Sequence, residues 1–321
     1  MLRTPNSLLA LAIPTYNRSA ILHENLKEML PEIREHSIAV YISDDSKDSA
    51  TEQMVAELKM EYEFIFYRRN EPSNGHDKNF FATLALPDTD FVWYLGDSLY
   101  LRSGVIADVL AMANHDPDFI FVNSYAPELT DRTVAGAAFK DFLLNRAWYL
   151  TLSGATIYGR RPRSLHVAEE RRKQWKNFPQ LGLIFEFVSM FSASCVWIGK
   201  PSILFNKKKK SYWQRNALDV FVRDWAALVR SFPKLFSGVE ADRIIRSHGI
   251  NTGVFSLKWL ITLRANGGLN ASEIDALGKD FALASPISPW WAKVVCMAPP
   301  FLVRGLWMGA KAIKESIERF R

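Results

Sequence analysis

The chain has 321 residues, enough to bury a sizeable core, and with 48% hydrophobic and 23% charged residues its composition excludes a disordered segment. The net charge is +6, and the basic runs at 160–163, 171–173 and 207–210 all lie in the second half, which points to an anionic partner: nucleic acid, a phosphorylated substrate or an anionic membrane. A solvated basic face is the plainer account of the same runs. Cys195 and Cys296 sit in apolar stretches without metal spacing, which fits a reducing compartment. No secretory leader is expected, since Pro14 interrupts the first apolar run, and no stretch reaches the ~18 apolar residues of a membrane span.

In chain order, apolar, β-branched or aromatic runs at 8–14, 38–43, 64–67, 91–95 and 119–122 predict buried parallel strands. Helical periodicity between them predicts helices over 19–35, 49–62, 77–86 and 104–115, with Ser19, Ser49 and Asp77 as capping residues. This alternation predicts a doubly wound α/β sheet with right-handed crossovers, whose ligands lie beyond the carboxyl ends of the strands. Further on, 148–161 reads as a strand or strand pair followed by a basic turn, and 177–194 as a buried helix. The stretch 219–266 is helical, with Trp225, Leu228, Phe232, Phe236, Trp259 and Leu263 on apolar faces.

The last residues stand apart. Pro286, Pro289, Pro299 and Pro300 break them into pieces. Beyond Pro300, the positions Phe301, Leu302, Leu306, Ala310, Ile313, Ile317 and Phe320 share a face, beside the basic Arg304, Lys311, Lys314, Arg319 and Arg321. With Trp290, Trp291 and Trp307 nearby, this predicts an interfacial membrane anchor; the alternative is a helix docked on the core or on a second copy of the chain.

Polar clusters follow four successive predicted strands: "PTYNR", "DDSKDS", "RRNEPSNGHDKN" and "GDS". Each alone is ordinary turn or cap chemistry; all four in this order describe one pocket. Asp44 and Asp45 can accept hydrogen bonds from a ribose or a base. Neither Gly-x-Gly-x-x-Gly after the first strand nor a P-loop is present, which excludes a dinucleotide oxidoreductase and a P-loop NTPase. A bound diphosphate must therefore be neutralised by basic side chains or a metal. Lys78 and Arg68 are placed to meet a phosphate, whereas Asn79 also reads as a helix-start residue. His76, His166 and His248 lack metal-ligand spacing.

With these residues in view, "LAIPTYNR", "ISDDSKDSA", "RRNEPSNGHDKNF" and "WYLGDS" resemble the inverting family-2 glycosyltransferases of GT-A fold, in particular the abequosyltransferase-like bacterial branch that builds surface polysaccharides such as O-antigen. The resemblance covers residues 8–125 and fades beyond. It implies an α/β, Rossmann-like, mostly parallel sheet flanked by helices, with a helical, basic C-terminal extension. The implied domains are 1–215, with a nucleotide-binding half 1–125 and an acceptor half 126–215, then a helical region 216–285 and the tail 286–321. Pro14, Thr15, Tyr16 and Arg18 would shape the donor pocket, and Asp44 and Asp45 would hold base and ribose. Arg68, Asn70, Gly75, Asp77, Lys78 and Asn79 would line the base and diphosphate side, and Asp97 would be the first acid of an Asp-x-Asp motif beside sugar and metal.

The chain departs from that motif at Leu99, which cannot ligate Mg²⁺ or Mn²⁺. One carboxylate with two diphosphate oxygens and waters could still hold Mg²⁺; the alternative is that Lys78, Arg102 or Arg160 to Arg163 neutralise the leaving diphosphate, and metal dependence is expected to be weakened or absent. Inversion needs a general base, and Glu186 is the expected carboxylate, with Asp141 behind it; a Glu186 paired with an arginine would explain its placement equally. The implied partners are a nucleoside-diphosphate sugar, a polyprenyl-diphosphate-linked glycan and the anionic cytoplasmic face of a bacterial inner membrane, with no nucleic acid. Two other readings are a catalytically lapsed scaffold subunit and a nucleotidyltransferase, which would want a second acid and a Gly-rich basic loop.

Overall fold

The computed structural model describes residues 4–209, 213, 216–301 and 303–305. The chain divides into two units, Met1–Lys209 and Lys210–Arg321.

The first unit is organised around one eight-stranded sheet. Strands β1 (Leu9–Thr15), β2 (Ala39–Asp44), β3 (Ile65–Arg69) and β4 (Phe91–Tyr94) alternate with helices α1 (Ser19–Glu35), α2 (Ala50–Glu61) and α3 (Gly75–Leu84). There follow β5 (Leu99–Leu101), α4 (Val105–Ala113), β6 (Phe119–Val122), β7 (Arg132–Ala135) and α5 (Ala137–Arg146). The unit continues through β8 (Thr156–Tyr158), α6 (Arg160–Arg163), α7 (Glu169–Lys173), α8 (Pro179–Met190), β9 (Ser194–Ile198) and β10 (Ile203–Phe205). The sheet order is β3-β2-β1-β4-β8-β6-β9-β7, and β10 pairs antiparallel with β5 in a separate ribbon.

The five predicted strands form, the inner ones because an apolar run can be covered on both faces of a central sheet: Leu9 to Ile13, Val92, Trp93 and Phe119 to Val122 are essentially inaccessible, whereas β3 is an edge strand with Phe66 exposed. The sheet is mixed, however. β8 enters antiparallel between β4 and β6, and β7 lies antiparallel on β9 at the edge. Of the strand or strand pair predicted at 148–161, one strand forms, β8, after two short 3₁₀ turns, Tyr149–Thr151 and Ser153–Ala155; the basic turn after it is α6.

The expected caps do not form. α1 follows Arg18, and Ser49 precedes α2 without capping it, its hydroxyl accepting instead from Gln53 Nε2 at 3.1 Å. α3 begins two residues before Asp77, at Gly75, whose φ of +71° suits glycine.

The second unit is helical. A π-helical turn, Asp219–Asp224, runs into α9 (Trp225–Arg230), followed by α10 (Gly238–Thr252), α11 (Leu257–Ala265), α12 (Ala271–Ala284) and α13 (Pro289–Met297). Ser237 and Glu240 close a capping box on α10, and the Asn270 side chain caps α12. Trp225, Leu228, Phe232, Phe236 and Leu263 are buried as predicted, and Trp259 is half-buried. α13 packs on α11 and α12, so the stretches before and after residue 286 share one unit. No helix among the described residues is long and apolar enough to cross a membrane. Of the expected amphipathic tail, Leu302 and residues 306–321 lie outside the described residues.

Candidate active site

The site begins where the strand order reverses: β2 and β3 lie on one side of β1, and β4 on the other. Ligand crevices of open α/β sheets form at such points. The β1–β4 ladder ends at Ala12, whose carbonyl accepts from Leu95 N–H at 3.0 Å. Backbone groups two residues apart on a strand face the same neighbour, so Pro14 turns toward β4 without an N–H to continue the ladder. β1 stays paired with β2 as far as Thr15 opposite Asp44. The two halves of the sheet thus part at Pro14.

Asp97 sits across this opening, 6% exposed. Thr15 Oγ1 donates to its Oδ2 at 3.1 Å, and Arg18 Nη1 to its Oδ1 at 2.9 Å. Asn25 Nδ2, on the buried face of α1, donates to the Asp97 backbone carbonyl at 2.9 Å. Asn206, just past β10, donates to Asn25 Oδ1 at 2.9 Å through its side chain and to the Ser98 carbonyl at 3.0 Å through its backbone. Lys209 lies close enough for its charge to interact with both Asp97 and Arg18: burial pushes its ammonium down, Asp97 pulls it up, and Arg18 pushes it down further.

A second cluster stands at the ends of β2 and β3, joined to the first by the Asp45 N–H donating to the Thr15 carbonyl at 3.0 Å. Asp44, fully buried, accepts from Ser46 N–H at 2.8 Å and from Tyr67 Oη at 2.9 Å. Burial and the Asp44 carboxylate raise the Tyr67 phenol far above its usual range, so it remains a donor. Asp45 Oδ1 accepts from Asn70 Nδ2 at 2.8 Å and from Asn74 N–H at 3.2 Å. Asn79 Oδ1 accepts from Ser43 Oγ at 2.6 Å, Asn70 Nδ2 at 3.1 Å and Thr83 Oγ1 at 3.2 Å. Asn79 is therefore a hub tying α3 to β2, beyond any helix-start role.

The structure thus brings Thr15, Arg18 and Asp97 into one cluster and Asp44, Asp45, Asn70 and Asn79 into its neighbour. Tyr16, 52% exposed, and Arg68 are open to solvent at the ends of β1 and β3. Gly75, Asp77 and Lys78 face a cleft of about 890 Å³ that is also lined by His166, Arg172 and Lys176. Asp77 accepts there from Asn177 N–H at 3.2 Å, and Lys78 pairs with Glu169 at 3.1 Å. Asn74 lines this cleft while bonding Asp45, so cleft and carboxylate cluster adjoin.

Other expected residues lie elsewhere. Arg160 binds Asp88 and Asp90, and Arg161 binds Asp118; these acids precede β4 and β6, so α6 sits at the amino ends of the strands, opposite Asp97. The antiparallel course of β8 carries the chain there, and Arg160 to Arg163 cannot meet a diphosphate at the carboxyl ends. Arg102 is exposed beyond β5. Glu186 Oε2 accepts from Arg171 Nε at 2.8 Å, and no hydrogen bond among the described residues ties it to the Asp97 cluster. Asp141 lies on α5 beside β7, four strands from β4, or roughly 19 Å at the usual strand spacing.

Asn25, Tyr67, Asn206 and Lys209 were not expected. An asparagine between Leu22 and Leu26 on the apolar face of α1 was the available signal, since buried polar groups are usually bonded.

The Asp97 donor set does not fit a divalent cation. Both carboxylate oxygens are engaged, by a guanidinium and a hydroxyl. Position 99 is Leu, 3% exposed, packed so closely over Gly154 that a Cβ there would lie 2.4 Å from Leu99 Cδ1.

A largely parallel sheet with carboxylates at the ends of β2 and β4 around its switch point defines a GT-A-type domain. The chain belongs to glycosyl transferase family 2, whose model matches residues 10–176. It is 36% identical over 102 residues to abequosyltransferase RfbV of Salmonella typhimurium, a match spanning 31% of this chain and 31% of that protein. In fold it is similar to S. aureus TarS 1-349 in complex with UDP-GlcNAc, with a TM-score of 0.54, 14% identity and coverage of 94% of this chain and 92% of that one. It is likewise similar to S. aureus TarS, with a TM-score of 0.54, 16% identity and coverage of 93% of this chain and 55% of that one.

Proposed function

We propose that the chain transfers a glycosyl group, with inversion, from a nucleoside-diphosphate sugar to a lipid-linked glycan acceptor in bacterial surface polysaccharide synthesis, at the cytoplasmic face of the membrane. The observation that carries this reading is Asp97, clasped by Thr15 and Arg18 at the opening between β1 and β4, beside the Asp44–Asp45 cluster. Family membership, the partial likeness to an abequosyltransferase and a fold shared with a TarS complex holding UDP-GlcNAc support it.

In this reading the Asp44–Asp45 turn frames the nucleoside side of the pocket, and the exposed ring of Tyr16 offers a stacking face for the base. Asp97 orients the sugar and the diphosphate-side cations. The acceptor hydroxyl oxygen attacks C1, the C1–O bond to the diphosphate breaks with its electron pair leaving on the nucleotide, and the acceptor proton passes to a carboxylate. Glu186, the carboxylate expected from the sequence, pairs with Arg171, and its neighbour Phe187 packs against Arg161 of α6, so it is not the group assigned to take this proton.

Purified protein offered UDP-, GDP-, dTDP- and CDP-sugars should hydrolyse or transfer one class, and Asp97→Asn should cost on the order of 100-fold or more in turnover. Unchanged turnover in Asp97→Asn would remove the site assignment.

A further inference from the structure

We infer that Arg18 and Lys209, in place of a divalent cation, neutralise the departing diphosphate. The inference rests on the donor reading above and adds the means by which the leaving group is stabilised.

A buried carboxylate at the mouth of a diphosphate pocket repels its ligand unless a cation stands between them. A metal does this by ligating acid and phosphate together. Here the acid's oxygens already face Arg18 Nη1 and Thr15 Oγ1, at 2.9 and 3.1 Å. The position of a second acid is also closed, and the closure is built on both sides: Leu99 fills the space and Gly154 supplies it. β5 then pairs with β10, Leu99 opposite Phe205, so this side chain is fixed by a ribbon as well as by packing.

The same ribbon delivers the second cation. β10 is followed by Asn206, which bonds Asn25 and the Ser98 carbonyl, and three residues later comes Lys209, whose charge acts on both Asp97 and Arg18. Arg18 is thus the cation in contact with the carboxylate at the switch point, and Lys209, half-buried, stands near enough for its charge to act on both. A guanidinium is planar, permanently charged and matched to both carboxylate and phosphate, so Arg18 can bridge Asp97 to the diphosphate as a metal would. Lys209 supplies the additional positive charge as a compact ammonium. When C1–O breaks, the oxygen that keeps the electron pair is met by these fixed charges, with no reorganisation of solvent.

The test is nucleotide binding, independent of turnover. UDP, GDP, dTDP and CDP are titrated calorimetrically into the full chain, once in EDTA and once with MnCl₂ in its place. The expected result is that one nucleotide binds, with an affinity differing less than about threefold between the two conditions, and that Lys209→Met and Arg18→Lys each weaken binding on the order of tenfold in EDTA. Binding of a nucleotide only when Mn²⁺ is present would overturn the inference and leave the donor reading standing. Failure of every nucleotide under both conditions would overturn the donor reading itself. The comparison of the two conditions uses unaltered protein, so it stands even if Arg18→Lys fails to fold.

Discussion

Leu99 and Gly154 are so closely apposed that a methyl group on Gly154 would overlap Leu99 Cδ1. Leu99 N–H also donates to the Gly96 carbonyl at 2.9 Å, closing the turn that presents Asp97. Gly154→Ala should therefore displace Leu99 and cost about 1–3 kcal/mol through overpacking. Leu99→Ala in the same chain should recover part of that loss. Thermal denaturation of the two single variants and the double variant would measure the coupling; strictly additive losses would show that the two residues do not share this space.

Asn70 joins three partners at the ends of β2 and β3, donating to Asp45 Oδ1, Ser43 Oγ and Asn79 Oδ1. Its truncation removes a donor from each of these buried acceptors, leaving Asp45 Oδ1 with Asn74 N–H and Asn79 Oδ1 with Ser43 Oγ and Thr83 Oγ1. Asn70→Ala should cost about 1–3 kcal/mol in urea denaturation and weaken nucleotide binding in parallel. A variant as stable as the parent would mean that these acceptors find other donors.

α6 lies at the amino ends of β4 and β6, where Arg160 pairs with the exposed Asp88 and Asp90. Removing a solvent-screened pair there should hardly move stability. Arg160→Ala should also leave KM for the donor within about twofold, since electrostatic influence fades over roughly 10 Å in ordinary salt. A large rise in KM would place the donor diphosphate at the wrong end of the sheet.

His248 lies inside the helical unit, stacked on Phe221 at 4.7 Å, with Nδ1 lacking a hydrogen-bond partner. Burial lowers its imidazole from 6.5 to about 3. Between these two values the unfolded chain holds a proton that the folded chain does not. Stability is therefore intact above pH 6.5 and falls as pH drops toward about 3, by at most about 1.4 kcal/mol per pH unit. His248→Phe should flatten that dependence in denaturation curves from about pH 7 to about pH 5. An unchanged slope would assign the acid sensitivity to other groups.

Trp290 and Trp291 meet edge to face at 4.6 Å, yet are 63% and 56% exposed. Met297 and Phe301 extend the apolar surface. Because neither indole is buried, replacing both by Ser should leave the melting temperature nearly unchanged. The same change should reduce sedimentation with phosphatidylglycerol vesicles several-fold if this surface meets the membrane interface. Equal sedimentation of parent and variant would exclude these two residues as an anchor.

The strands and the polar clusters that follow them are legible from the amino-acid order alone. A parallel strand covered on both faces must be a continuous apolar run, and a ligand pocket at its carboxyl end must begin where that run stops, so both are local properties of "LALAIPT" and "FVWYLGD". What the tertiary structure decided was which charges meet there. β8 returns antiparallel and takes Arg160 to Arg163 to the opposite end of the sheet, although their composition suits a phosphate. Glu186, marked by its apolar surroundings, meets Arg171. Asn25 bonds the Asp97 carbonyl from a helix face, and Asn206, carried in by the β5–β10 ribbon, bonds Asn25 and the Ser98 carbonyl; no local pattern announces either. Leu99 reads in the sequence as a missing ligand; in the fold it is a core residue seated on Gly154. Local periodicity fixes an element and the face it buries, but the neighbours of a side chain depend on strand order and direction, which are set by packing across the whole unit.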